Sequence, residues 1–170
     1  MLPEFVGEWH LDGYAFVDTF IGASDPSDLS AVENWLLAAA GAGWPEVEAR
    51  TGLVLVIRRD GTYSERASGE KLSLLWYDSD GVQTASPEPT EGVVRGVAGR
   101  PVVSLHPHTP PARADSPGGE FRGVLRYDDG DTLVSDILRL EGNSLTRAIS
   151  VVTDDLYFNR VVARYRRSRA

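Results

Sequence analysis

An arginine on an apolar strand face is the residue in this chain best placed to do chemistry. Residues 143–153 read as a strand, because β-branched residues fill the run and turn formers flank it. Side chains alternate along a strand, so Leu145, Arg147, Ile149 and Val151 share one face, opposite Ser144, Thr146, Ala148 and Ser150. A guanidinium on the apolar face must meet an anion or bear a desolvation cost of roughly several kcal/mol. Asp136 shares a face with Val134 and Leu138, which makes it a candidate buried acid for Arg147. Such a pair serves either as a structural ion pair or as a general acid/base with a shifted pKa. Asp12 and Glu65 are two further candidates for lining acids. The run after Asp154-Asp155 places Leu156, Phe158, Arg160 and Val162 on one face. Its other face carries Tyr157, Asn159, Val161, Ala163 and Tyr165. Periodicity leaves open which of these two faces points inward. The preference of arginine for solvent would put Val161, Ala163 and Tyr165 in the core, but the pattern by itself does not decide between the two faces.

Other chemistries are poorly supplied. His106-Pro-His108 resembles a metal pair, but His10 is remote and a proline-rich loop is a poor rigid scaffold, so a solvated loop is expected. Asp78/Asp80 and Asp128/Asp129/Asp131 stand beside glycines at turn spacing, which Asx-type turns explain better than a calcium loop. The sequence contains no phosphate loop, no Gly-x-Ser-x-Gly elbow and no cysteine nucleophile.

The elements that must position these residues are mostly strands. Phe5–Leu11 predicts a short strand, Tyr14–Ile21 a first helix, and the Ser24-Asp-Pro cap signal a second helix ending at Gly41-Ala-Gly43. After Gly52 the pattern changes to hairpins. Leu53–Arg59 turns at Asp60-Gly61 into Thr62–Ala67, and Lys71–Tyr77 predicts a further strand. Val93–Val97 and Pro101–Leu105 flank Ala98-Gly-Arg100, Glu120–Tyr127 pairs with Thr132–Leu140, and a final hairpin follows Gly142. His106–Gly119, with four prolines, reads as a long loop. About ten strands with short connections predict an all-β, up-and-down antiparallel barrel. Closure removes the exposed sheet edges, and a helix pair is inserted between strands one and two. An interior of that size can hold a ligand.

Composition narrows the rest. A chain of 170 residues predicts one barrel domain, 1–170, with a helical lid at about 14–43. There is no cysteine, hence no disulfide. Net charge is −8 with a pI near 4.8, which opposes nucleic-acid and anionic-membrane partners. Five arginines crowd the end of the chain, from Arg160 to Arg169, and Lys71 is the only lysine. That bias, with abundant Ala, Gly and Asp, hints at a high-GC bacterial genome. Neither a signal peptide nor an apolar stretch of about 18 residues is apparent, so a cytoplasmic protein without stable membrane insertion is expected, as a monomer or weak dimer.

Several short segments stand in a telling order: Phe5-Val-Gly-Glu-Trp9, a helix pair, Val56-Ile-Arg-Arg-Asp-Gly61, Val97-Ala-Gly-Arg-Pro-Val-Val-Ser-Leu105, and Leu145-Thr-Arg147 with Asp154-Asp155 and Arg160. Together they resemble the intracellular fatty-acid-binding and cellular retinoid-binding proteins of the calycin, lipocalin-like group. The resemblance implies a non-enzymatic carrier for a hydrophobic, carboxylate-bearing molecule, with no cofactor. It assigns Arg147 and Arg160 as carboxylate anchors. Val162 falls where the family has a tyrosine, which removes one hydroxyl donor. A register one turn-residue longer brings Arg164 or Tyr165 inward instead. Ile149 and Phe158 join the ligand wall in this reading, and Phe16, Trp35 and Leu36 of the lid face the ligand. The alternative is a barrel-fold cyclase or isomerase for a polyketide- or terpene-like substrate, with Asp136 as the working acid.

Overall fold

Antiparallel pairing of the strands gives the chain its architecture. The computed structural model describes residues 3–20, 48–49, 52–67, 90–108, 112–114, 120–121, 123–127, 133–153 and 157–168. A 3-10 turn, Pro3–Phe5, precedes eleven strands: β1 Gly7–Phe20, β2 Glu48–Ala49, β3 Leu53–Ile57, β4 Thr62–Ala67, β5 Thr90–Gly96, β6 Val103–Pro107, β7 Ala112–Ala114, β8 Val124–Tyr127, β9 Leu133–Glu141, β10 Ser144–Thr153 and β11 Tyr157–Arg167. Eight of them close a ring in the order β10-β11-β1-β3-β4-β5-β6-β9, which returns to β10. The protein is thus a closed, antiparallel, eight-stranded β-barrel.

The barrel expected from the sequence is present, with two corrections. Three strands stay out of the ring: β2 pairs with β1, β8 extends from β9, and β7 pairs with β8. Strand β8 takes the Leu133–Ser135 part of the same β9 edge that β6 takes at Ile137 and Leu138, so the two share one place around the ring. The predicted first helix is replaced by strand, because β1 continues to Phe20. Tyr14, Phe16, Val17 and Phe20 are as acceptable in a strand as in a helix, and β11 offers a matching edge from Trp9↔Arg167 to Phe20↔Tyr157. The segments predicted as the second helix and as the Lys71–Tyr77 strand lie outside the described residues.

Local chemistry explains the tight turns. At the β3–β4 turn Gly61 has φ +86°, and the Asp60 carboxylate accepts hydrogen bonds from Thr62 N at 2.9 Å and Thr62 Oγ1 at 2.7 Å. The β9–β10 turn is Gly142-Asn143, with Gly142 at φ +60°, as a two-residue hairpin requires. The same end is plugged by Phe5 and Trp9. The indole Nε1 donates to Phe5 O at 2.9 Å, and the Arg167 guanidinium lies 4.6 Å from the ring centroid. Inside, Ile57, Tyr63, Val94, Val103, Leu105, Leu138, Leu145 and Tyr165 form a buried apolar layer. Residues 21–47 and 68–89 both connect to strand ends at the opposite rim.

A second, smaller core lies outside the ring. Ile137 and Ala148 alternate with inward residues and are covered by Val97 and Val102 of the β5–β6 turn. His106 is here too. It is buried on β6 and stacks on Phe121 with ring centroids 6.4 Å apart, which corrects the expected solvated loop.

Candidate functional site

The inward faces of four strands converge on one polar cluster. Arg147 of β10 sits between Leu145 and Ile149, as its strand pattern predicts, and is 3% exposed. Next to it in the ring, β9 contributes Asp136. The pair is bidentate: Arg147 Nε donates to Asp136 Oδ1 at 2.8 Å and Nη2 to Oδ2 at 2.7 Å. Strand β4 stands across the barrel, four places from β10 in either direction around the ring. Its Glu65, 1% exposed, spans the lumen to accept from Arg147 Nη1 at 2.6 Å. Tyr165 of β11 completes the quartet. Its hydroxyl accepts from Arg147 Nη1 at 3.3 Å and donates to Glu65 Oε1 at 2.9 Å.

The quartet spans the ring above the apolar layer. Leu53, Val134 and Ile149, all buried, line the side toward the rim of long connections. The two oxygens of Glu65 differ. Oε1 accepts two hydrogen bonds, whereas the buried Oε2 has no hydrogen-bond partner among the described residues.

Electrostatics follow from this geometry. Asp136 neutralises Arg147 through two charge-assisted bonds. An ionised Glu65 therefore adds a second, uncompensated negative charge in a dry site. Burial pushes the Glu65 carboxyl above the usual carboxylate range, and Arg147 offsets only part of that. Burial, then the Glu65 charge, raises the Tyr165 hydroxyl well above the ordinary tyrosine value. Burial opposes the Arg147 charge, but Asp136 and Glu65 outweigh it and hold the guanidinium protonated.

The raised carboxyl carries a prediction for stability. The folded state holds its Glu65 proton to higher pH than the unfolded chain, so the folded state binds more protons above the unfolded pKa of 4.5. This contribution is complete below that pH and is lost as pH rises through the folded value. Urea melts across this range are expected to show a falling midpoint in the wild type and a flatter profile in Glu65→Gln. Parallel profiles would contradict a protonated Glu65.

The other residues singled out from sequence fall elsewhere. In the β10–β11 ladder Arg160 pairs with Ser150, while Ala163 pairs with Arg147. Ala163 and Tyr165 are fully buried, so the ladder assigns the inner face to their set and places Arg160 on the opposite face. The same register removes Phe158, paired with Val152, and Val162, paired with Ala148, from the face of Arg147. The reason is parity, since residues 160 and 163 differ by an odd number of steps. Ile149 shares the inward face and is fully buried. Phe16 lies on β1 opposite Val161, on strand rather than on a helical lid. Trp35 and Leu36 lie outside the described residues. Asp12 is no lining acid: it occupies the register shift between Leu11 and Gly13 and binds Arg164 at 2.8 Å and Arg166 at 3.0 Å on the outer face.

Sequence reading paired Asp136 with Arg147 but did not bring Glu65 and Tyr165 to them. The available signal for Glu65 was an acid between Tyr63 and Ala67 on the less polar face of β4. Comparisons with protein-family models, with curated proteins and with solved structures gave no match to this chain.

Proposed function

We propose that this barrel is a non-enzymatic carrier that holds a small hydrophobic molecule in its interior, on the Glu65 side of the polar quartet. The single observation that carries this reading is Glu65 Oε2, buried with no hydrogen-bond partner among the described residues. An unpartnered buried oxygen costs roughly 1–3 kcal/mol, a cost that a bound molecule with a matching group removes. Two further features support it. Eight-stranded barrels are either filled by side chains or hold one small ligand, and the buried Leu53, Val134 and Ile149 give the Glu65 side of the quartet an apolar lining. The resemblance to fatty-acid and retinoid carriers points the same way.

The carboxylate anchor implied by that resemblance is already occupied. Arg147 directs its fork at Asp136 and its remaining Nη at Glu65 and Tyr165. An incoming carboxylate would have to displace Asp136 and leave that acid buried without its cation. A second reading, a cyclase or isomerase acting on a polyketide- or terpene-like substrate, is favoured by one observation: Glu65 is a buried carboxyl, and burial raises its pKa toward the range of a general acid.

Native mass spectrometry of the protein purified from its own host tests the carrier. A co-purifying small molecule of constant mass is expected, together with saturable binding of the uncharged dye Nile red. A folded protein with neither property would overturn the proposal. A bound molecule that is converted on incubation would establish the enzyme instead.

A further inference from the structure

Glu65 Oε2 is a buried oxygen inside the ring with no hydrogen-bond partner among the described residues. Oε1 is committed as acceptor to Arg147 at 2.6 Å and Tyr165 at 2.9 Å. The Arg147 charge is balanced by Asp136 through two bonds. A proton on Glu65 makes the whole quartet neutral, and it must reside on Oε2, because Oε1 is already receiving two donors. That O–H is buried and meets no acceptor among the described residues. Leu55, which pairs with Glu65 on the β3 side, is buried and apolar and supplies none.

We propose that the lumen takes an uncharged, apolar molecule whose carbonyl or hydroxyl oxygen accepts a hydrogen bond from Glu65 Oε2, and that it discriminates against carboxylates. This rests on the carrier reading and assigns its ligand class. A carboxylate at that point faces two acids and one cation already shared between them. An ammonium group would meet the Oε2 proton as a second donor, and binds only if Glu65 gives that proton up against the burial that favours it. A ketone, an aldehyde or an alcohol requires neither change.

The test is displacement of Nile red from the wild-type protein by methyl decyl ketone, lauryl alcohol, laurate and laurylamine, below micelle-forming concentrations. These probes share a chain length and differ in head group. The ketone and the alcohol are expected to displace the dye at concentrations about five- to tenfold lower than laurate or laurylamine, the worth of one well-made hydrogen bond against a buried charge. Glu65→Gln is expected to keep that order, since the amide oxygen can take the Oε1 bonds and the amide N–H can stand for Oε2–H. Glu65→Leu is expected to lose it. Tighter binding of laurate or laurylamine, or equal binding of all four, would overturn this ligand class while leaving the carrier intact. Failure of the folded protein to bind Nile red saturably would end the carrier reading itself. The wild-type ranking decides the matter even where Glu65→Leu does not fold.

Discussion

Replacing Arg147 with methionine is expected to lower the unfolding free energy by about 3–5 kcal/mol, the range for removing one partner of a buried ion pair. The substitution keeps volume and apolar contact but leaves Asp136 without the cation that donates to both its oxygens. Tyr165 and Glu65 lose a donor as well. Much of that loss is expected to return in Arg147→Met/Asp136→Leu, because an apolar replacement of a buried pair is often neutral or stabilising. Glu65 keeps its bond from the Tyr165 hydroxyl in that background, and losing Arg147, which holds its carboxyl down, moves it further toward the neutral form. Urea unfolding of the single and double variants measures both numbers. A single variant costing less than about 1 kcal/mol would mean that the quartet behaves as an exposed salt bridge. The contrast also separates stability from binding, since the double variant keeps Glu65 and should still rank the head groups as the wild type does.

The second large effect is expected at a residue with no side chain. Gly92 of β5 lies where Tyr63 folds across the strand. A Cβ there would overlap the carbonyl oxygen of His106, stand 2.7 Å from Tyr63 Cε1 and 2.8 Å from Pro107 Cα. Two of those neighbours are backbone atoms of the adjacent strand β6, which cannot turn aside. Gly92→Ala is therefore expected to cost about 3 kcal/mol or more, at the upper end for overpacking. Gly96, on the same strand, has nothing within 4 Å of its ideal Cβ and no positive φ. Gly96→Ala is expected to be neutral or slightly stabilising, because glycine inside a strand gains nothing from packing. Thermal melts of the two variants make the comparison, and equal midpoints would contradict the close approach of β5 and β6.

Much of the architecture was legible in the chain. Alternation over 144–153, together with the Asp60-Gly61 and Gly142 turns, predicts the hairpins that are present. Arg147 on the apolar face and Asp136 on a matching face follow from a period of two alone, and the two residues meet as strand neighbours. These are local or nearest-neighbour properties, set by backbone stereochemistry within a few residues. The stretch 14–20 was not legible, because its aromatic and β-branched residues satisfy a strand and a helix equally. The long edge of β11, distant in sequence, decided for strand.

What the sequence by itself determined is a meander of hairpins with one buried cation that needs an anion. Which anion answers it, and from which side, was decided only by closure of the ring. Closure sets β4 diametrically opposite β10, so an acid 82 residues away becomes a partner at 2.6 Å. It also fixes the parity of β11 through Ala163 and Tyr165, which turns Tyr165 inward and leaves Arg160 on the other face. Periodicity can divide residues into two faces, but the choice of inner face belongs to the sheet as a whole, where burying Tyr165 and Ala163 costs less than burying three arginines.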